Sequence, residues 1–128
     1  MVKQKVTKAE MSSLPYIIAV DFDGTLVEDK FPEIGEPITR VWDCLKKARD
    51  NGAKIILWTC RNGDKLKEAV EFCAASGIHF DAINENLDEC KVLFDNDTRK
   101  VYADEYWDDK SIGAFCYYTF SRRLHTDG

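Results

Sequence analysis

Two aspartates one residue apart, Asp21 and Asp23, close the first strongly apolar run of the chain, in the hexapeptide Asp21-Phe22-Asp23-Gly24-Thr25-Leu26. A second acidic pair, Asp108 and Asp109, follows a later apolar run, and Thr59, Cys60 and Arg61 follow the run between them. Four carboxylates gathered in one place would repel one another and resist ionisation. A hard cation held by oxygen ligands removes that conflict, and Mg²⁺ is the ion such a cluster suits best. The cluster exists only if the fold brings those three chain positions together.

Three runs must do so. Tyr16-Ile17-Ile18-Ala19-Val20 is continuous, β-branched and aromatic, without polar alternation, as in a strand covered on both faces. From Pro37 the pattern turns helical, with Ile38, Val41, Trp42, Leu45 and Ala48 on one stripe and Gly52 past the end. Lys54 to Trp58 reads as a second buried strand. Asn62 then caps a helix that carries Leu66, Ala69, Val70 and Cys73 and stops at Gly77. A weaker strand is expected over 78–83, a short helical stretch over 87–94 and a further strand over 100–107, while 111–124 reads equally as a closing helix or as irregular chain. This alternation predicts a three-layer, Rossmann-like α/β sandwich on a mostly parallel sheet, with ligands at the carboxyl ends of the strands. Each acidic or Thr-bearing cluster sits at such an end.

The hexapeptide after a buried strand closely resembles the first motif of the haloacid dehalogenase superfamily. The likeness runs from about Tyr16 to Lys110: Thr59 matches the second motif, and Tyr106-Trp107-Asp108-Asp109 resembles the acidic fourth. For the third-motif lysine both Lys100 and Lys91 stand as candidates, Lys100 ahead. The resemblance implies a Mg²⁺-dependent phosphohydrolase in which Asp21 is the nucleophile and forms an aspartyl-phosphate, and Asp23 is general acid and then base. It further implies that Thr59 hydrogen-bonds the phosphoryl group within a loop shared with Cys60 and Arg61. Lys100 would neutralise charge, and Asp21, Asp23, Asp108 and Asp109 would hold the metal. Which of Asp104, Asp108 and Asp109 is the direct ligand stays open, with the 108–109 pair preferred for its place at the strand end. Arg61 reads equally as a contact to substrate or as a partner for a surface acid. Cys60 is expected to be a packed thiol, since no neighbouring residue supplies a base.

Members of that superfamily commonly carry a cap domain after the first motif or between the second and third. Here the predicted helices and strands occupy both intervals, so the resemblance implies a capless enzyme. Its open site would take a large phosphorylated substrate, or be covered by a neighbouring copy in a homo-oligomer, and the segment Val27 to Glu36 is expected to form a small flap. Nucleotides and polynucleotide ends remain alternative substrates. A dehalogenase or phosphonate hydrolase is disfavoured because Asp23 supplies the acid that phosphatases place there. A receiver-like module would show the reverse order of acids, and a degenerate, regulatory relative would lack one of the expected residue types.

Composition bounds the rest. The chain has 128 residues, 45% hydrophobic and 32% charged, which suits one compact domain, read as 15–128 behind a polar leader at 1–14. Five cysteines lack any Cys-x-x-Cys spacing and are read as reduced thiols of a cytoplasmic protein. No apolar run is long enough for a membrane span. A net charge of −5 disfavours a broad nucleic-acid surface.

Overall fold

Apolar runs without alternation need cover on both faces, and the first two runs of this kind form the centre of the sheet. The computed structural model describes residues 7, 9, 10, 13–94 and 101–108. Strand β1 is Ile17–Val20 and β2 is Lys54–Leu57; β3, Ala82–Ile83, and β4, Glu105–Trp107, flank them. The four strands lie in the order β3-β2-β1-β4, each neighbouring pair parallel. Helices α1 (Thr39–Asp50), α2 (Gly63–Ala75) and α3 (Asp88–Phe94) alternate with them. The protein therefore has the expected α/β architecture with a parallel sheet. Among the described residues no helix is long and apolar enough to cross a membrane.

Side-chain parity divides the core. Ile18, Val20, Ile55, Leu57 and Trp107 point to one face and pack with Val41, Trp42, Leu45, Ala69 and Cys73 of α1 and α2. Ile17, Ala19 and Ile56 point to the other, with Leu87, Cys90 and Val101. Burial pushes the Cys73 thiol up to about 12, because a thiolate among apolar side chains loses its hydration.

Both long helices end alike. At α1 the Gly52 N–H bonds the Arg49 carbonyl at 2.9 Å and the Ala53 N–H bonds that of Ala48 at 3.0 Å. At α2 Gly77 bonds Ala74 at 3.1 Å and Ile78 bonds Cys73 at 2.9 Å. This is the Schellman arrangement, which needs a left-handed residue, and the two glycines have φ of 97° and 100°. The second cap explains why the expected strand over 78–83 is short: Ile78 belongs to the helix stop, leaving Ala82 and Ile83 to pair. The helix starts differ from expectation. Helix α1 begins at Thr39 rather than at Pro37, and Asn62 is the N-cap residue of α2 without a side-chain capping bond. The last strand is also shorter than 100–107, starting at Glu105.

At the amino-terminal edge two aspartates fasten neighbouring strands. Asp104 Oδ2 accepts the Ile17 N–H at 2.7 Å, and the Asp104 N–H returns a bond to the Ile17 carbonyl at 2.8 Å. Asp81 does the same for Ile55, at 2.8 Å in each direction. Asp104 thus lies at the opposite edge from the other acids and serves the ladder.

Candidate active site

From β1 the chain steps outward through β2 to β3, then returns to the far side of β1 as β4. Such sheets bind ligands where the order reverses, at the carboxyl ends, and here that crevice lies between β1 and β4. The Asp21 N–H donates to the Trp107 carbonyl at 3.0 Å, extending the ladder by one residue. Continuing the register Ala19↔Tyr106 and Val20↔Trp107 sets Asp21 beside Asp108, on strands about 4.8 Å apart. The Trp58 N–H bonds the Val20 carbonyl at 2.9 Å, so Trp58 flanks Asp21 on the other side. A recess of about 600 Å³ opens at this point, lined by Asp21, Trp58, Thr59, Cys60, Asn84, Tyr106 and Asp108 among others. The Tyr106 ring is held in place by its hydroxyl, which donates to the Val101 carbonyl and accepts from the Ala103 N–H. Burial pushes that phenol's pKa up.

After β1 the chain wraps around one carbonyl. The N–H groups of Thr25, Leu26 and Val27 all converge on the Phe22 oxygen, at 3.2, 2.9 and 3.2 Å. This tight turn takes Gly24 to a φ of 84°, a conformation in which a Cβ would be strained. Asp21 Oδ1 accepts the Phe22 N–H at 2.8 Å. Thr25 is buried in the turn, and its hydroxyl has no partner among the described residues. The turn brings Asp23 to a second recess of about 420 Å³, lined by Asp21, Asp23, Asp29, Phe31, Thr59, Cys60 and Arg61. Asp21 and Thr59 therefore stand between two openings.

The loop after β2 is fixed from both ends. Thr59 Oγ1 accepts the Arg61 N–H at 3.1 Å, a Thr turn that leaves the hydroxyl proton to donate. The Thr59 N–H is held at 2.8 Å by the side-chain oxygen of Asn84. Asn84 sits just past β3 with φ of 53°, its own N–H on the Leu57 carbonyl at 2.8 Å. Asn tolerates that left-handed conformation better than other side chains do. The sequence places Trp58 in the second strand and Tyr106 in the fourth-motif run without a site role for either, and Asn84 is signalled only as an Asn at the very end of an apolar pair. Cys60, expected to be packed, is exposed and lines both recesses.

Arg61 is the largest departure from expectation. It pairs with an acid, as one of its two readings has it, but below the surface: its side chain is 1% exposed and its partner is Asp23, itself 17% exposed. Nε bonds Asp23 Oδ2 and Nη2 bonds Oδ1, both at 2.8 Å. Nη2 also reaches the Glu33 carbonyl at 2.9 Å, and Nη1 the carbonyls of Pro32 and Lys65, each at 3.4 Å. A guanidinium has five N–H donors, and these contacts engage every one. The group lies 5.0 Å from the Phe22 ring and 5.1 Å from that of Phe31. The hydrogen bond to Asp23 drives the Arg61 pKa up against the opposing effect of burial. Pro32 and Glu33 belong to the expected flap, which closes through the Glu28 N–H on the Glu36 carbonyl at 2.8 Å and exposes Phe31 at its tip.

Of the sequence candidates, Asp21, Asp23, Thr59, Cys60, Arg61 and Asp108 thus gather at one edge. Lys91 does not join them: it pairs with Glu85 and lies 3.9 Å from Asp88, and the Glu85 bond pushes its pKa up. Lys100 and Asp109 lie outside the described residues, as do the tail 111–124 and most of the leader. Asp21 and Asp108 fit Mg²⁺, which is commonly held by one or two carboxylates with water and phosphate oxygens completing the sphere. Among the described residues no group of three His, Cys, Asp or Glu side chains is arranged to hold a metal alone, and the Asp23 carboxyl is engaged by Arg61.

No protein-family model and no curated protein matches the chain. Among solved structures it is similar to a conserved protein from Bacteroides thetaiotaomicron, at 35% identity and a TM-score of 0.71, over 86% of this chain and 90% of that one. The chain belongs to the family of that conserved protein. An identity of this size over most of both chains indicates a shared fold across the matched region.

Proposed function

We propose that the chain is a Mg²⁺-dependent phosphomonoester hydrolase of the haloacid dehalogenase type, without a cap, acting through an aspartyl-phosphate on Asp21. The observation that carries this reading is the alignment of Asp21 with Asp108 at the crevice where the strand order reverses, with Thr59 in the loop after the adjoining strand β2 and Asp23 across the turn. A carboxylate there attacks phosphorus in line: an Asp21 oxygen bonds phosphorus as the ester P–O bond breaks, and the Asp23 carboxyl, having taken up a proton on a lone-pair site outside the Arg61 fork, gives that proton to the departing oxygen. Asp23 then takes a proton from water as the water oxygen bonds phosphorus and the Asp21–phosphorus bond breaks, releasing inorganic phosphate. The Thr59 hydroxyl donates to a phosphoryl oxygen from a loop that Asn84 and the Arg61 N–H keep in shape. Asp21 and Asp108 would hold the Mg²⁺, whose charge offsets that of the phosphoryl oxygens. The substrate is a phosphomonoester that an open site admits, either a large molecule or a small one enclosed by a second copy of the chain.

The test is phosphate release from aryl, sugar, nucleotide and peptide phosphomonoesters, with and without Mg²⁺, beside the Asp21→Asn protein. Turnover by wild type that EDTA removes and Mg²⁺ restores, and that Asp21→Asn lowers by about 10⁴-fold or more, is expected. Equal turnover by Asp21→Asn would refute the nucleophile, and metal-independent turnover would refute the cation.

A further inference from the structure

A catalytic carboxyl that must face a leaving oxygen has two torsions free to turn it elsewhere, and Asp23 lies two residues from Asp21, the carboxyl assigned to the cation. Something has to fix its direction. The side-on fork from Arg61 does this with two parallel bonds of 2.8 Å to the two oxygens, which constrain the carboxyl plane as a single bond cannot. Each carboxylate oxygen offers about two lone-pair sites, so the fork leaves each oxygen a further site for proton exchange. The fork is itself packed near the Phe22 and Phe31 rings and bonded to three main-chain carbonyls.

Those carbonyls belong to separate segments. Pro32 and Glu33 lie in the flap, and Lys65 lies in the first turn of α2. The same residue's N–H shapes the Thr59 loop. One side chain therefore ties the Asp23 turn, the flap and the phosphate-facing loop into a single body.

We propose that Arg61 is a positioning residue for proton transfer: it holds the Asp23 carboxyl towards the leaving group and locks the flap 28–36 in the position that Asp23 requires. Arg61 has no donor left for substrate phosphate, so its effect passes through Asp23. This inference rests on the phosphohydrolase reading, and its signature differs from a general loss of activity. Protonation of the leaving oxygen matters greatly for an alkoxide and little for p-nitrophenolate, which departs unaided. Misdirecting Asp23 consequently penalises alkyl phosphates selectively.

The experiment compares kcat/KM of wild type, Arg61→Gln, Arg61→Lys and Asp23→Asn on p-nitrophenyl phosphate and on an alkyl phosphate such as glycerol 2-phosphate, with Mg²⁺ present. General acid–base help is worth about 10²-fold or more, so Arg61→Gln is expected to lose about that factor on the alkyl ester and less than about tenfold on the aryl ester, in parallel with Asp23→Asn. Arg61→Lys keeps the charge and the stem without the fork; it is expected to fold and to show the same selectivity, smaller in size, and it carries the test if the Gln protein does not fold. Equal losses on both esters, or no loss, with wild type active would overturn the positioning role and leave the phosphohydrolase standing. No turnover by wild type on either ester or on the broader panel would overturn the phosphohydrolase reading and this inference with it.

Discussion

Breaking the Arg61–Asp23 pair should be costly in a lopsided way. Removing one member of a buried ion pair costs about 3–5 kcal/mol, because the survivor keeps a charge it cannot hydrate. The survivors differ here. Without Arg61, the Asp23 side chain retains its 17% exposure and can recruit water; without Asp23, the guanidinium stays at 1% exposure with no counter-charge. Asp23→Ala should therefore fall near 5 kcal/mol and Arg61→Met, which preserves the stem between the two rings, near ~3 kcal/mol. Urea unfolding followed by tryptophan fluorescence measures both: with a slope of about 2 kcal/mol per molar, the midpoints should drop by about 2.5 M and 1.5 M. The Asp23→Ala/Arg61→Met protein removes both charges together and should lose less than the two singles combined by about 2–3 kcal/mol. Single variants within about 0.3 M of wild type, strict additivity, or Arg61→Met as the worse of the two would refute the argument from desolvation.

Two further outcomes follow from buried groups away from that pair. Cys73 ionises near 9 when exposed and near about 12 in the fold, so only the unfolded chain releases its proton between those values. Its contribution is full below pH 9 and is lost as pH rises towards 12, at up to about 1.4 kcal/mol per unit. Unfolding midpoints at pH 8 to 10.5 should decline less steeply for Cys73→Ala than for wild type, and superimposable slopes would mean that the thiol is not kept neutral by burial. Thr25 carries a buried hydroxyl without a partner in the described structure, a group whose desolvation costs about 1–3 kcal/mol. Thr25→Val, which keeps the branched shape, should leave the urea midpoint unchanged or raise it; a loss above about 1 kcal/mol would reveal a bond that the hydroxyl makes.

Local signals in the sequence located what local physics determines. The apolar runs at 17–20 and 54–57 and the stripes from Val41 to Ala48 and Leu66 to Cys73 appear where spacing places them, and Gly52 and Gly77 end both helices. The convergence of Asp21, Thr59 and Asp108 followed from strand ends alone, since a parallel sheet puts such ends on one edge. Three matters were illegible for a common reason. Whether Arg61 faces solvent or Asp23 depends on a partner 38 positions away in sequence; whether Asp104 serves chemistry or the ladder depends on Ile17; and Asn84 gains its importance from Thr59. Spacing within one element cannot reveal a hydrogen bond between two. The short β3 is a different kind of miss, since the helix cap claimed Ile78 before the strand could.

The aspartate clasps at the amino-terminal edge have a consequence at the other end of the sheet. Asp104 fastens β4 to β1 at Ile17, and from that common origin each strand counts the same number of residues to its carboxylate, Ile17 to Asp21 and Asp104 to Asp108. The two acids meet because two tallies begin together. Substitutions inside either stretch leave the tally intact, whereas a single inserted or deleted residue would offset one acid by about 3.3 Å and turn it to the opposite face. Length in 17–21 and 104–108 is therefore under tighter constraint than composition. The flap, which lies outside both tallies, is where relatives can vary in length without separating Asp21 from Asp108.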